Sequence, residues 1–198
     1  MTRQGDLAEA TWRADWAVEK ARESAHASTL AQVLPAAAAL RLAVGKTAGA
    51  LAILADVERI PHARTEPNHA ANLPDAVRTA LNAGDPDLAG RLVEGLDPIY
   101  PLHEHALTTA RALLREREGK HEEAAVLFAD AAQRWQRFGT PWEGAQALMG
   151  RGRCLVVDGR IAEATEAIRD ARRIFARLGG EPAVIAADAL LGQAAAIA

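Results

Sequence analysis

A repeated spacing of glycine and alanine is the feature that most restricts what this chain can fold into. In the segments 119–124 and 159–164, a glycine is followed five residues later by an alanine. The segments are 40 residues apart, and the same offset aligns Phe128 with Ile168, Ala131 with Ala171, Trp135 with Phe175, Phe138 with Leu178 and Gly139 with Gly179. A period of roughly 20–50 residues indicates a chain built by stacking one supersecondary unit.

A weaker copy of this pattern continues toward the N-terminus. Gly84 precedes Ala89, and Gly45 precedes Ala50. We expect each glycine to end a helix in the left-handed conformation and each alanine to face the paired helix at close range. Four residues after their alanines, Phe128 and Ile168 should fill the space between helices. One such hairpin cannot bury its own apolar stripe, so neighbouring hairpins must stack.

Composition favours helices throughout. Alanine and leucine dominate the apolar residues, while aromatic residues make up only 4% of the chain. The pattern predicts an all-α fold of stacked antiparallel hairpins with about four repeats and nine or ten helices. The predicted helices cover about residues 6–25, 28–44, 47–60, 68–83, 86–96, 102–118, 121–138, 141–158, 161–178 and 182–196. We expect one domain over 1–198, with weak repeats in 6–100 and strong repeats in 101–198.

The spacing of small and large residues resembles the tetratricopeptide repeat. In the best unit the matching positions are Gly152, Gly159, Ala164, Ile168 and Ala171. In the preceding unit they are Ala112, Gly119, Ala124, Phe128 and Ala131. The resemblance covers about residues 70–196 well and the first 60 loosely. It implies that the hairpins form a right-handed α-solenoid with a surface that binds other proteins.

The long, near-40-residue form is similar to the C-terminal helical regions of large bacterial LuxR-type regulators and related cyclase-like ATPases. Three phrases carry this likeness: Tyr100-Pro-Leu-His-Glu-His105, the run at 134–139, and Gly150-Arg-Gly-Arg-Cys-Leu155. In those regulators the ATPase and output domains lie outside the helical part. The resemblance therefore implies a fragment of a regulator or a small stand-alone relative.

Charge and cysteine content exclude several classes of protein. The net charge is −3 and both signs are interspersed, which argues against nucleic-acid binding through phosphate neutralisation. Cys154 is the only cysteine, so a disulfide framework is excluded, and we expect it to be buried. The longest apolar stretch, 34–40, is far too short to span a membrane. We expect a cytoplasmic, soluble protein without membrane contact.

No motif predicts catalysis, a metal or a cofactor. Gly45-Lys46-Thr47 resembles the end of a phosphate-binding loop, but Leu40 stands where that loop needs a second glycine. His103 and His105 are two residues apart, unlike a zinc pair at i,i+4. We predict that the chain is not an enzyme, and we keep a site invisible in sequence as a residual alternative.

The resemblance places a binding groove on the first helix of each hairpin. The corresponding residues are Arg78, Leu81, Thr109, Leu113, Glu116, Gln146, Met149 and Arg153. An arginine such as Arg153 could pair with a carboxylate of a bound segment. The predicted function is a protein-interaction and regulatory module that holds a protein or peptide in this concave groove. The alternative is small-molecule effector sensing, favoured if a pocket lies near Leu113 and Met149.

Trp12 and Trp16 form an i,i+4 pair on the first predicted helix. Two interpretations remain open for them. They belong to the core, or they dock on a missing domain or on a second copy of the chain. The second interpretation would allow a homodimer through terminal helices.

Overall fold

A computed structural model describes residues 4–60 and 65–197, with side chains from residue 9 onward. Within these ranges the chain forms ten α-helices and no strand. They are α1 Gln4–Ser24, α2 Ala27–Ala43, α3 Thr47–Glu58, α4 Pro67–Asn82, α5 Pro86–Val93, α6 Pro101–Arg117, α7 His121–Phe138, α8 Pro141–Val157, α9 Ile161–Arg177 and α10 Glu181–Ile197. The predicted all-α class is confirmed.

Most helix limits agree with the prediction to within two residues, but α5 is shorter than expected. It ends at Val93 and not near residue 96, because Glu94 is extended and Gly95 has a φ of 69°. At its start, the Asp85 carboxylate accepts a hydrogen bond from the Leu88 N–H at 2.8 Å, and Pro86 occupies the first turn. An aspartate that accepts a hydrogen bond from a free backbone N–H favours a helix start. So does proline in the first turn, where its missing N–H would have no partner in the helix. The predicted break at 61–67 falls largely on residues 61–64, which lie outside the described part.

Left-handed glycines end six helices in the same way. At Gly119, whose φ is 78°, the N–H donates to the Glu116 carbonyl and the following Lys120 N–H donates to the Arg115 carbonyl. This bond pair is the Schellman motif, which satisfies the last free carbonyls of a helix. The same pair recurs at Gly45, Gly84, Gly139, Gly159 and Gly179. The prediction that the repeat glycines cap helices is confirmed.

The end of α1 uses alanine for the same purpose. Ala25 has a φ of 54°, and its N–H donates to the carbonyls of Ala21 and Arg22. A left-handed conformation is unfavourable for a residue with a Cβ atom. This helix end is therefore less stable than those capped by glycine.

The chain divides into two compact units, Met1–Ala110 and Arg111–Ala198, and the boundary falls within α6. In the first unit, α2 packs against α1, α3 and α4, and α4 packs against α5. Its largest fully buried side chains include Leu34, Leu54, Leu73 and Val77. Ala50 and Ala89, the alanines of the weak repeats, are fully buried as predicted.

In the second unit, α8 packs against α7 on one side and α9 on the other, and α10 packs on α9. The alanines Ala124 and Ala164 are fully buried, as predicted. The α7–α8 and α8–α9 contacts are close because α8 carries glycine where it meets large residues. A Cβ atom on Gly150 would lie 2.5 Å from the Phe128 ring, and one on Gly152 would overlap Ile168.

None of the described helices combines the length and apolar character needed to cross a membrane.

Candidate functional site

The structure brings together two of the predicted groove residues directly. Arg153 of α8 donates two hydrogen bonds to the carboxylate of Glu116 of α6, from Nε to Oε1 at 2.7 Å and from Nη2 to Oε2 at 2.8 Å. This bidentate geometry is the strongest form of arginine–carboxylate pairing. The carboxylate that we expected a partner to supply is therefore already supplied by the chain.

Interactions with Glu116 favour the charged form of Arg153. Burial opposes the charge on Arg153, but the hydrogen bond and attraction from Glu116 outweigh it, so the Arg153 pKa is raised. The Glu116 side chain is only 18% exposed, and that of Arg153 is 42% exposed. The pair thus ties two helices together and still presents part of the guanidinium to solvent.

The other predicted residues of the second unit differ in exposure. Leu113 and Met149 are buried, whereas Gln146 is partly exposed. A bound segment would therefore contact Leu113 and Met149 only beneath the more exposed side chains. The face made by Gln146, Met149 and Arg153 follows the i, i+3, i+7 spacing of one side of a helix.

The first unit holds the remaining three predicted residues. Arg78 is partly buried and forms an ion pair with Asp75 on the same helix. Leu81 is partly exposed. Thr109 is buried, and its hydroxyl donates to the His105 carbonyl at 3.0 Å. The groove role of all eight residues stays a prediction.

A cleft of about 980 Å³ opens on the opposite face of α8, and sequence reasoning missed it. Gly144, Leu148 and Arg151 of α8 line it, between residues of α7 and α9. These α8 residues are offset by two positions from Gln146 and Arg153, which is roughly 200° around the helix axis. We call this the α7–α9 cleft. None of the eight predicted groove residues lines it.

Arginine dominates the charge of the α7–α9 cleft. Its charged lining residues are Arg151, Arg172, Arg173, Arg177 and Asp170. Apolar and uncharged polar residues make up the rest, among them Ala132, Gln133, Leu148 and Ile174. Arg173 is ion-paired to Asp170 and Arg172 to Asp188 of α10, so Arg177 and Arg151 supply most of the positive charge of the rim beside the apolar base. This combination suits an anionic ligand that also has apolar groups.

A smaller cleft of about 520 Å³ lies in the first unit between α1, α2 and α3. Its charges are mixed, with Asp15, Glu19 and Glu23 facing Arg22 and Arg41. Arg41 is ion-paired to Asp15. This internal neutralisation leaves the smaller cleft without one dominant charge.

Trp12 and Trp16 lie on the surface of α1, 66% and 54% exposed. The interpretation that they belong to the core is wrong. Core positions of α1 are taken by Val18 and Ala21, which lie on the other side of the helix. Indole rings at this exposure leave a large apolar area in water, which is typical of a surface that contacts another molecule.

Cys154 is fully buried in α8, as predicted. Burial raises the pKa of its thiol to about 12. Because the thiolate is the reactive form, this cysteine behaves as a small apolar residue.

The other motifs weighed for chemistry occupy ordinary structural positions. Gly45 and Lys46 form the turn between α2 and α3, and Thr47 begins α3. His103 is fully buried, with its ring 5.3 Å from that of Tyr100. Across residues 4–60 and 65–197, no group of three or more His, Cys, Asp or Glu side chains is arranged to hold a metal ion.

Comparisons with known proteins identify no family for this chain. No family model and no curated protein matches this chain.

Proposed function

We propose that the chain is a tetratricopeptide-like helical-repeat module that binds a segment of another protein. The observation that carries the proposal is the equivalence of buried positions 40 residues apart. Phe128, Ala131 and Trp135 of α7 are buried, and so are their counterparts Ile168, Ala171 and Phe175 of α9. Two helices that bury the same positions on one shared neighbour, α8, support a repeated hairpin as the building unit.

Repeat modules of this kind expose long helix faces with few catalytic constraints, and their usual use is recognition of peptides. The face that carries Gln146, Met149 and Arg153 is the proposed contact surface. Glu116 already occupies Nε and Nη2 of Arg153, so only the remaining exposed part of the guanidinium is open to a peptide carboxylate, beside an apolar base that suits apolar side chains. In the same proposal the chain is part of, or related to, a larger bacterial regulator.

Small-molecule sensing is the weaker proposal. A pocket near Leu113 and Met149 would favour it, but both side chains are buried and open onto no such pocket among the described clefts. The described cleft of suitable size opens on the other face of α8.

The test compares two glutamine variants of the full chain. Peptides are first selected from a displayed library on the wild-type protein. Their affinities are then measured for Gln146→Lys, on the proposed face, and for Gln133→Lys, on α7 in the α7–α9 cleft. We expect Gln146→Lys to weaken binding about tenfold and Gln133→Lys to leave it unchanged.

A second variant examines the ion pair without leaving an unpaired charge. Glu116→Gln combined with Arg153→Gln removes both charges and keeps similar side-chain volumes. Selected peptides that carry a carboxylate should lose affinity for this variant, whereas neutral peptides should not. Equal affinities for Gln146→Lys, the double variant and wild type would refute the proposed contact face.

A further inference from the structure

The exposed side of α1 carries a regular acidic and aromatic pattern. Glu9, Trp12, Trp16, Glu19 and Glu23 follow one another at spacings of three or four residues, so they share one helix face. All five side chains are exposed. We call this set the α1 stripe. The two indole rings lie in its middle, and carboxylates lie on both sides of them.

The α7–α9 cleft has the complementary chemistry. Leu148, Ala132 and Ile174 offer apolar surface, and arginines supply the charge at its rim. Its volume of about 980 Å³ is at the upper end for pockets that enclose small ligands, so two large aromatic side chains can enter it.

We propose that the α7–α9 cleft of one copy of the chain binds the α1 stripe of a second copy. In this arrangement Trp12 and Trp16 cover the apolar base of the cleft, and arginines of the rim stack on the indole rings. Glu19, which forms no ion pair with another described residue, meets the positive rim, whereas Glu23 is already paired with Lys20. The proposal does not depend on the peptide-binding function of the opposite face of α8.

Two of the four arginines, Arg177 and Arg151, can take part without breaking strong internal bonds, whereas Arg173 is ion-paired to Asp170. Arg177 is exposed and has no ion-pair partner among the described residues. Arg151 lies 3.8 Å from Glu163, a long and weak contact. Arg172 is held by Asp188 of α10, which fixes its position beside the cleft.

The two proposed surfaces differ, so each copy offers one stripe and one cleft. Such contacts between unlike surfaces form a ring when they close and a growing chain when they do not. They also make a specific test possible. A copy that lacks only the stripe and a copy that lacks only the cleft can still bind each other once.

The test uses sedimentation velocity on the full chain from about 1 µM to 1 mM, the range in which weak to moderate association is visible. The stripe variant is Trp12→Ser with Trp16→Ser. The cleft variant is Gln133→Glu with Arg177→Glu. All four positions contribute exposed or partly exposed side chains. Circular dichroism confirms that each variant is folded.

We expect wild type to associate with increasing concentration and each variant alone to associate at least about tenfold more weakly. An equimolar mixture of the two variants should restore a one-to-one complex. Raising the salt concentration should weaken association of the wild type, because charge attraction contributes.

The matched control is Ile185→Ser, which removes another exposed apolar side chain, on α10, that belongs neither to the α1 stripe nor to the lining of the cleft. It should associate like wild type. The proposal is overturned if wild type stays monomeric over the whole range, or if the mixture of stripe and cleft variants forms no complex. It is equally overturned if Ile185→Ser abolishes association while the stripe variant retains it.

Discussion

Single residues in α8 set how closely the helices of the second unit approach. Gly150 faces the ring of Phe128, and Gly152 faces Ile168, with no room for a methyl group at either position. Both glycines lie inside a helix, where glycine is less favourable than alanine by about 1 kcal/mol. The tight contact with α7 and α9 offsets that cost through packing.

Replacing Gly150 should therefore destabilise the chain in spite of the gain in helix propensity. Gly150→Ala puts a Cβ atom 2.5 Å from the Phe128 ring, which forces the ring or α7 to move. We expect a net loss of roughly 1–2 kcal/mol in the free energy of unfolding, measured by urea denaturation.

Gly192 in α10 is the matched control for this substitution. A Cβ atom there would meet nothing within 4 Å, so Gly192→Ala should stabilise the chain by up to about 1 kcal/mol. A destabilisation of similar size for both variants would contradict the close-packing explanation.

At the scale of the element, the way a helix ends is a local property with a measurable energy. Six helices end at a left-handed glycine, whereas α1 ends at Ala25. The same backbone bonds form at a higher conformational cost when a Cβ atom is present.

Ala25→Gly should stabilise the chain by about 0.5–1 kcal/mol, because glycine adopts the left-handed conformation without steric cost. Thermal unfolding followed by circular dichroism measures the change. Ala186→Gly, at an exposed site inside α10, should have the opposite effect at about 1 kcal/mol. No gain for Ala25→Gly would show that this φ is not strained in solution.

The contact between α9 and α10 should depend on pH through one ion pair. A hydrogen bond and attraction from Arg172 lower the pKa of Asp188 below its ordinary value of 3.8. A lowered pKa in the folded state adds stability above the unfolded-state value, and that stability is lost as the pH falls through the lower, folded-state value. Wild type should therefore be more stable than Asp188→Asn at pH 7, and the difference should vanish in acid below pH 3.8.

Unfolding free energies measured between pH 7 and pH 2 provide the comparison. Glu166→Gln is the control, since Glu166 is an exposed carboxylate of α9 without an ion pair among the described residues. It should leave the pH dependence close to that of wild type. A constant difference between wild type and Asp188→Asn at every pH would rule out the ion pair as its source.

For the molecule as a whole, each compact unit has one helix that packs most extensively on its neighbours. This helix is α2 in the first unit, which contacts α1, α3 and α4; α4 also has three neighbours, but its contact with α3 is light. In the second unit it is α8, which contacts α7 and α9 and, more lightly, α10. Helices with the most packed neighbours are expected to open last.

Amide hydrogen exchange followed by mass spectrometry tests this order. We expect peptides from α8 to exchange more slowly than those from α10, by at least about tenfold, because α10 exposes much of its surface. In the first unit, α2 should exchange more slowly than α1. Faster exchange in α8 than in α10 would show that packing does not set local stability here.

The helices of this protein and the way they end can be predicted from short-range patterns of residues. Turn glycines and the five-residue spacing from glycine to alanine are local signals, and their recurrence after 40 residues marks the repeat, so they predicted the capped helix ends and the buried alanines. A helix length was predicted wrongly only for α5, which ends at Val93 because Gly95 adopts a positive φ.

The packing of helices that are distant in sequence sets which surfaces are exposed and which charged side chains are already ion-paired. Arg153 pairs with Glu116, 37 residues away, and the α7–α9 cleft forms from three helices at once. Trp12 and Trp16 have the apolar character of core residues, yet they lie outside because α1 buries its other face. Burial and pairing depend on neighbours that are distant in sequence, so local periodicity cannot specify them.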